Sequence, residues 1–551
     1  MRPQAELERL TVVLRDHLGH RRMADGLGAL ECARPLMEEL LPGWPGAGIL
    51  LGMVAQWVDA GFADHAFLRR LTQKFAGQRG ALPLAEYLHL RMADGVLAMG
   101  AEDFDAAFSH FQLVQSLEDE VFDQELLAIA NFWAGRCLRQ EGRYDDALSF
   151  THKGESLALA CGYAEMAAIM QTSRSWLAFQ RGKLAEATSI LRAAETALDQ
   201  TDDFRGRGNI KSAYGRIARR QGRYELALSC FEKAISEYRR GGGRQLQLAR
   251  ALLNNAFVNR LIALQVQKDL DREAASRRSG QPADPAAAER SRSERSRVQR
   301  FRDVAREQLR ESLAIFSLRE NHRGIASVRI DSGLLALDSG DLETAAVEAS
   351  AAFRHGEEKH DRIVMARART LQCMVDNGRM EEGIGDPGEL FVSAENHARE
   401  AIEFARQTQN RHLLARAYIW QGLTLVSGPR RDVEAARRCA EQASDLLKAD
   451  EVDREYGWDD LETLRKASLV SAPVDAALQS WSSGVVGDKS FQRITEEFAQ
   501  IVIPKVWERE GRKVSRVAAK LSISPKKVRR ILRAAGLTGN GRTHGQRSAA
   551  S

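Results

Sequence analysis

Apolar residues recur at helical spacing along most of the chain. The segment from Tyr214 to Ala234, YGRIARRQGRYELALSCFEKA, shows the rule. Gly222 can take the left-handed conformation that stops a helix without steric cost. Beyond it Ala227, Phe231 and Ala234 stand at i, i+4 and i+7, one face of a 3.6-residue period. The pattern predicts two helices packed closely across a glycine turn, with small residues at 215, 227 and 234 and Tyr224 between them.

This unit repeats. Phe104, Tyr144, Leu184 and Tyr224 stand at equal intervals along the chain. Three positions later stand Ala107, Ala147, Ala187 and Ala227, and nine positions earlier Gly95, Gly135, Ser175 and Gly215. Two positions before the anchors lie Glu102, Gly142, Gly182 and Gly222. The columns return as Gly333, Gly340, Leu342, Ala345, Ala349 and Ala352. Such periodicity is the signature of a helical solenoid. These columns resemble a tetratricopeptide (TPR) repeat, in a form longer than the usual one and similar to the repeats of ligand-sensing bacterial regulators and kinesin light chains. The expected body is an all-α, TPR-like solenoid: degenerate helical repeats or a cap at 1–85, repeats at 86–266 and repeats at 299–447. The Ala/Arg/Ser/Glu-rich stretch with Pro282 and Pro285 falls in an expected insertion at 267–298, with a loop at 276–297 and the partner helix resuming near Gln299. A further insertion is expected around Asp386-Pro387-Gly388, with the next helix near His397–Gln407. A linker covers 448–488, with Gly484 and Gly487, though 451–468 also suits a helix.

Composition narrows the class. With 7% aromatic residues and 12 prolines in 551, the chain suits helices better than a sandwich or barrel. The longest apolar run, Ala47 to Val58, is shorter than the roughly 20 residues of a membrane helix, and the N-terminal residues lack an apolar signal core. The six isolated cysteines predict neither disulfides nor zinc knuckles. A cytoplasmic protein that does not associate with membranes is expected.

Charge is concentrated at one end. Residues 489–551 hold 15 Lys and Arg against 4 Asp and Glu, in a chain whose whole net charge is +5. The body is therefore mildly acidic and the end points to a polyanion. Within it, VSRVAAKLSISPKKVRRILRAAGL predicts two short helices across a sharp turn, with Val517, Ala518, Leu521, Ile523, Val528, Ile531 and Leu532 inside. Ser524 suits an N-cap, Pro525 the first helical position and Gly536 the stop. The segment is similar to the helix-turn-helix of the Fis family and of bacterial enhancer-binding regulators, without a gap from Lys513 to Leu537. Ser522 stands where that pattern has glycine, and Pro525-Lys526 where its recognition helix is Arg/Asn-rich. The resemblance implies a bacterial regulator whose 489–538 domain binds double-stranded DNA, followed by a disordered tail at 539–551. It places Lys513 and Ser515 at phosphates, Ser524, Lys527 and Arg530 at bases, and Arg529 and Arg533 beside the backbone, with Lys526 on the same basic helix. It also implies a homodimer through 490–510, where Phe491, Ile494, Phe498, Ile501 and Val502 offer a pairing face; the same face also suits packing on its own helix-turn-helix.

In the solenoid, the repeat register puts Arg136, Arg139, Arg216, Arg219 and Arg220 on the concave side, flanking Trp176, Phe179 and Gln180. Arginine pairs carboxylates bidentately and aromatic surface supplies buried area. The groove therefore suits an acidic protein or peptide with an apolar anchor; a solvated surface is the plainer alternative. His17 and His20 lack a third ligand, His355 and His360 lack metalloprotease spacing, and Gly241-Gly242-Gly243 lacks the end of a phosphate loop. No nucleophile signature is present. The reading is a DNA-binding transcription regulator with a partner-sensing solenoid, without metal, cofactor or enzymatic activity. The alternative is an interaction scaffold whose terminal module serves docking or dimerisation.

Overall fold

The computed structural model describes residues 2–62, 65–120, 123–242, 246–277, 285–447, 458–470, 490–534 and 537. Among them every regular element is helical. The chain divides into two units, residues 1–465 and 466–551.

The first unit is a TPR-like helical-repeat solenoid. Helices α1 (Arg2–Gly19), α2 (Met23–Cys32), α3 (Arg34–Glu38), α4 (Ala47–Ala60) and α5 (His65–Gln73) form an irregular start. Paired helices follow: α6 (Leu84–Gly100) with α7 (Phe104–Ser116), α8 (Gln124–Glu141) with α9 (Tyr144–Ala160), and α10 (Ala164–Gln180) with α11 (Leu184–Leu198). Then come α12 (Phe204–Arg220) with α13 (Tyr224–Arg240), α14 (Leu246–Arg277) with α15 (Pro285–Leu318), and α16 (His322–Leu337) with α17 (Leu342–Glu358). The last pairs are α18 (Arg362–Glu381) with α19 (Pro387–Arg406) and α20 (Arg411–Ser427) with α21 (Val433–Leu447). Helix α22 (Trp458–Val470) straddles the division between the units.

The periodic columns mark the pairing. Phe104, Tyr144, Leu184, Tyr224 and Leu342 each begin the second helix of a pair. Ala107, Ala147, Ala187 and Ala227 are completely buried. A Cβ on Gly95 would lie 2.3 Å from the ring of Phe111, and one on Gly215 would lie 2.8 Å from the ring of Phe231. Ser175, in the same column, uses its hydroxyl to donate to the Ala187 carbonyl at 3.0 Å. The column before the anchors is left-handed, with φ 83° at Gly142 and 60° at Glu102. That conformation is costly for a residue with a side chain, and the Glu102 carboxylate makes a long-range contact there.

Remote loops of the solenoid cap one another. Glu102 accepts from the His322 backbone N–H at 3.0 Å and from the Asn321 amide. Arg323 donates to the Gln140 carbonyl at 2.6 Å, the Gln409 N–H to the Gly142 carbonyl at 3.0 Å, and Arg411 to the Arg181 carbonyl at 3.4 Å. Asp202 accepts the Met23 and Ala24 N–H groups at 2.7 Å each, supplying orphan donors at the start of α2. The buried Arg260 of α14 reaches Asp338 at 2.9 Å. The solenoid thus closes on itself, early repeats meeting late ones.

Two expectations change. The 276–297 stretch is not a loop where it is described: α14 extends to Arg277 and α15 already begins at Pro285, with 278–284 outside the described residues. Ala, Arg and Glu are good helix formers, and Pro285 occupies a first position where its missing N–H costs nothing. The extra residues expected around Asp386-Pro387-Gly388 are present, since Arg362 and Pro387 begin their helices 25 residues apart where Gln124 and Tyr144 begin theirs 20 apart. The second helix, however, starts at Pro387 and not near His397. Asp386 is the N-cap of α19, accepting from the Glu389 N–H at 2.8 Å, and Pro387 is the first helical residue. Most of the expected 448–488 linker, including Gly484 and Gly487, lies outside the described residues, as do Gly536 and the 539–551 tail.

In the second unit, α23 (Phe491–Arg509), α24 (Val514–Lys520) and α25 (Pro525–Ala534) share one core of Ile503, Trp507, Val517, Ala518, Val528, Ile531 and Leu532. Pro504 sits inside α23, where it removes one backbone hydrogen bond. No helix among the described residues is long and apolar enough to cross a membrane.

Candidate functional site

The first helices of successive pairs enclose a cavity of about 670 Å³. Eleven arginines and two aspartates are on its wall, giving it a large positive excess. All of Arg136, Arg139, Trp176, Phe179, Gln180, Arg216, Arg219 and Arg220, read from the repeat register, line it. Their spacing explains this. Arg136, Trp176 and Arg216 are the thirteenth residues of α8, α10 and α12, and Arg139, Phe179 and Arg219 the sixteenth. Both columns point the same way along the superhelix.

The structure adds Arg21, Arg205, Arg250, Arg323, Arg367 and Arg416 to the wall. Arg367 and Arg416 are the sixth residues of α18 and α20, in the column that holds Ile129, Ile169 and Asn209 in earlier copies. That column was a signal available in the sequence, although the change of residue type along it obscures the pattern.

These arginines differ in what holds them. Arg136 Nη1 donates to Asp59 Oδ2 at 2.6 Å, and the same oxygen accepts from Trp133 Nε1 at 3.1 Å. Burial pushes the Asp59 carboxyl up, but the nearby Arg136 and Arg205 charges and these hydrogen bonds outweigh it and hold the pKa at about 2. Arg21 pairs with Asp203 at 2.8 Å and Arg367 with Asp331 at 3.2 Å. Burial nevertheless raises the Asp331 carboxyl despite its arginine neighbours. Arg220 is buried, with its guanidinium 4.0 Å from the Phe179 ring centroid and bonded to the Phe179 carbonyl. Arg219 stacks on Phe257 at 5.0 Å and bonds Asn254 at 3.1 Å. Arg139 stacks on Trp176 at 5.0 Å.

Burial, followed by repulsion from neighbouring arginines, lowers Arg139 to about 9. Burial also lowers Arg216 and Arg250 to about 10, with arginine repulsion contributing at both. Arg250 keeps accessible surface on the cavity side yet is surrounded by protein. All three stay protonated at neutral pH.

The basic helix of the second unit is assembled as its sequence implies. The Lys527 N–H donates to Ser524 Oγ at 3.2 Å, capping α25. Val528, Ile531 and Leu532 are buried, while Lys526, Arg529, Arg530 and Arg533 are exposed and Lys527 is half-buried. Lys513, Ser515 and Ser524 are also exposed, so these eight residues share no interior site. Ser522 has a φ of 51°, the conformation for which glycine is usual at such a turn. Along 490–510 it is Ile503 and Trp507 that enter the core shared by α23, α24 and α25, while Phe491 and Phe498 are 85% and 49% exposed.

His322 and His355, on α16 and α17, converge with Glu358, their donor atoms within 4.8 Å of one another. No spacing in the sequence joins these three. His20 instead faces Glu165 at 3.3 Å. All six cysteines are free thiols.

No protein-family model and no curated protein matches the sequence. Similar solved structures include a Rap protein complexed with competence and sporulation factor, at 11% identity and a TM-score of 0.48, covering 80% of this chain and 99% of that one. A monomeric mutant of IFIT1 with m7Gppp-AAAA matches at 12% identity and a TM-score of 0.47, covering 84% of this chain and 94% of that one. A signal transduction ATPase with numerous domains and a tetratricopeptide repeat sensor, from Pyrococcus horikoshii, matches at 13% and 0.37, covering 76% and 56%.

Proposed function

We propose that the chain is a DNA-binding transcription regulator whose TPR-like solenoid senses a partner in its arginine-lined cavity and whose Fis-type helix-turn-helix reads double-stranded DNA. The observation that carries the second half is α25: its apolar side is buried and its basic side open, on a helix capped by Ser524. A helix of this kind enters the major groove with its N-terminal residues at base edges. Enclosed positive charge beside apolar surface supports the first half, because binding sites are concave, largely apolar and carry a few convergent polar groups.

The test uses the full chain. Binding to random duplex DNA should weaken steeply with salt, and selection from a randomised pool should enrich defined sequences. Salt-dependent binding without enrichment would favour the scaffold reading, in which the basic end only adheres to nucleic acid.

A further inference from the structure

Arg139, Arg216 and Arg250, from α8, α12 and α14, face the cavity without a carboxylate at ion-pair distance among the described residues. Arg216 donates to the Ser212 hydroxyl at 3.2 Å and Arg139 rests on Trp176. Arg250 has neither such support. Arg139 feels the charges of Arg250 and Arg216, and Arg216 that of Arg250. Around Arg250 the repulsion of Arg136, Arg205 and Arg323 is set against the attraction of Glu102. Like charges held together in poorly solvated surroundings raise the free energy of the empty site, and an anion among them lowers it.

The walls limit what brings that anion. A volume of about 670 Å³ falls within the roughly 300–1,000 Å³ typical of small-ligand sites, so a few residues fit and a folded domain does not. Apolar Met166, Ile169 and Met170 line the same space. The rings of Phe132, Trp176, Phe179 and Phe257 each already carry a guanidinium, from Arg136, Arg139, Arg220 and Arg219. Single-stranded nucleic acid is held by bases stacking on open aromatic faces, and these four rings offer less of that surface. A carboxylate needs only the forked donors of arginine.

We propose that the ligand of the solenoid is a short acidic peptide, with a side-chain carboxylate seated among Arg139, Arg216 and Arg250 and an apolar side chain against Ile169, which keeps surface on the cavity side. This rests on the reading of the solenoid as the sensing part of the molecule.

The experiment is calorimetric titration of the full chain with triglutamate, trilysine, inorganic phosphate and a 5′-phosphorylated tetranucleotide. Triglutamate should bind once per chain, and trilysine should not bind. The variants R139Q, R216Q and R250Q should each weaken triglutamate at least about tenfold, as loss of a charge-assisted bond implies. Because none of the three holds a carboxylate of the protein, the variants should unfold cooperatively as the parent does, which separates lost binding from lost folding. R250Q should melt no lower, and R139Q and R216Q lose only the Trp176 stack and the Ser212 bond. The K527A/R530A double variant should keep triglutamate affinity whatever happens to its DNA binding, so the two readings fail independently. No binding of triglutamate at millimolar concentration would overturn the proposal. So would equal affinity in R216Q/R250Q, or a tetranucleotide or phosphate that binds through these arginines while triglutamate does not.

Discussion

Arg136 and Asp59 stand 2.6 Å apart on the cavity wall, joining α8 to α4 across 77 residues of sequence. Both side chains are about three-quarters covered, at 26% and 22% exposure. The pair places the negative charge of the N-terminal region against the first regular repeats. It also changes what a substitution at Arg136 reports, because charge reversal there unbalances Asp59 as well as any ligand. Arg136→Ala should cost about 3 kcal/mol, the lower part of the range for breaking a buried pair, since some solvent reaches it. Denaturant unfolding of the variant checks this, and a stability equal to the parent's would show that Arg205 and Trp133 suffice for Asp59.

Asp59 also sets an acid limit. Its folded pKa of about 2 lies below the ordinary value of 3.8. A depressed carboxylate stabilises the fold fully above the unfolded value and loses that contribution as pH falls through 3.8 towards 2. The contribution is roughly 2 kcal/mol at neutral pH. Melting temperatures between pH 6 and 2 should show this loss, and Asp59→Asn should flatten the acid limb.

Gly95 tests the close packing of the repeat. An alanine inside a helix gains about 1 kcal/mol over glycine in propensity. Here its Cβ would meet Phe111 at 2.3 Å, and Phe111 is fully buried and cannot swing aside. Overpacking costs about 1–3 kcal/mol, so Gly95→Ala should lower the melting temperature. A rise would mean that α6 and α7 separate more readily than their contact suggests.

The repeat was legible because its determinants are local. A glycine stop, an aromatic or leucine start and alanines at the helix crossing recur at a fixed interval, and the cavity-facing columns at 136, 176 and 216 follow from the same register. Arg323, Arg367 and Arg416 escaped because α14 and α15, of 32 and 34 residues, break that register before them. Arg250, near the start of α14, escaped because its column holds Ala130, Met170 and Ile210 in earlier copies. Low complexity disguised the start of α15, since an Ala/Arg/Glu run reads as a loop by composition and as a helix by propensity. The Arg136–Asp59 pair and the Glu102–His322 contact depend on closure of the superhelix, which no local pattern encodes. In the second unit Ser524 and Pro525 announced α25, whereas the inward turn of Trp507 required the three-dimensional packing.

The last prediction separates reading from adhesion on α25. Lys527 and Arg530 lie near its start and middle, one half-buried and one exposed, while the exposed Arg533 lies near its end. In a helix docked through its N-terminal half, the first two face base edges and the last faces the phosphate chain. Lys527→Ala or Arg530→Ala should therefore cost about 1–3 kcal/mol on a selected site and much less on random duplex. Arg533→Ala should weaken both alike and reduce the slope of log affinity against log salt by about one. The contact of Arg530 with Glu496, at 4.0 Å between exposed groups, is too weak to hold the side chain away from DNA. Binding isotherms at several salt concentrations, on selected and random duplexes, distinguish the two classes. If all three variants lose selected and random binding equally, α25 adheres to DNA without reading it.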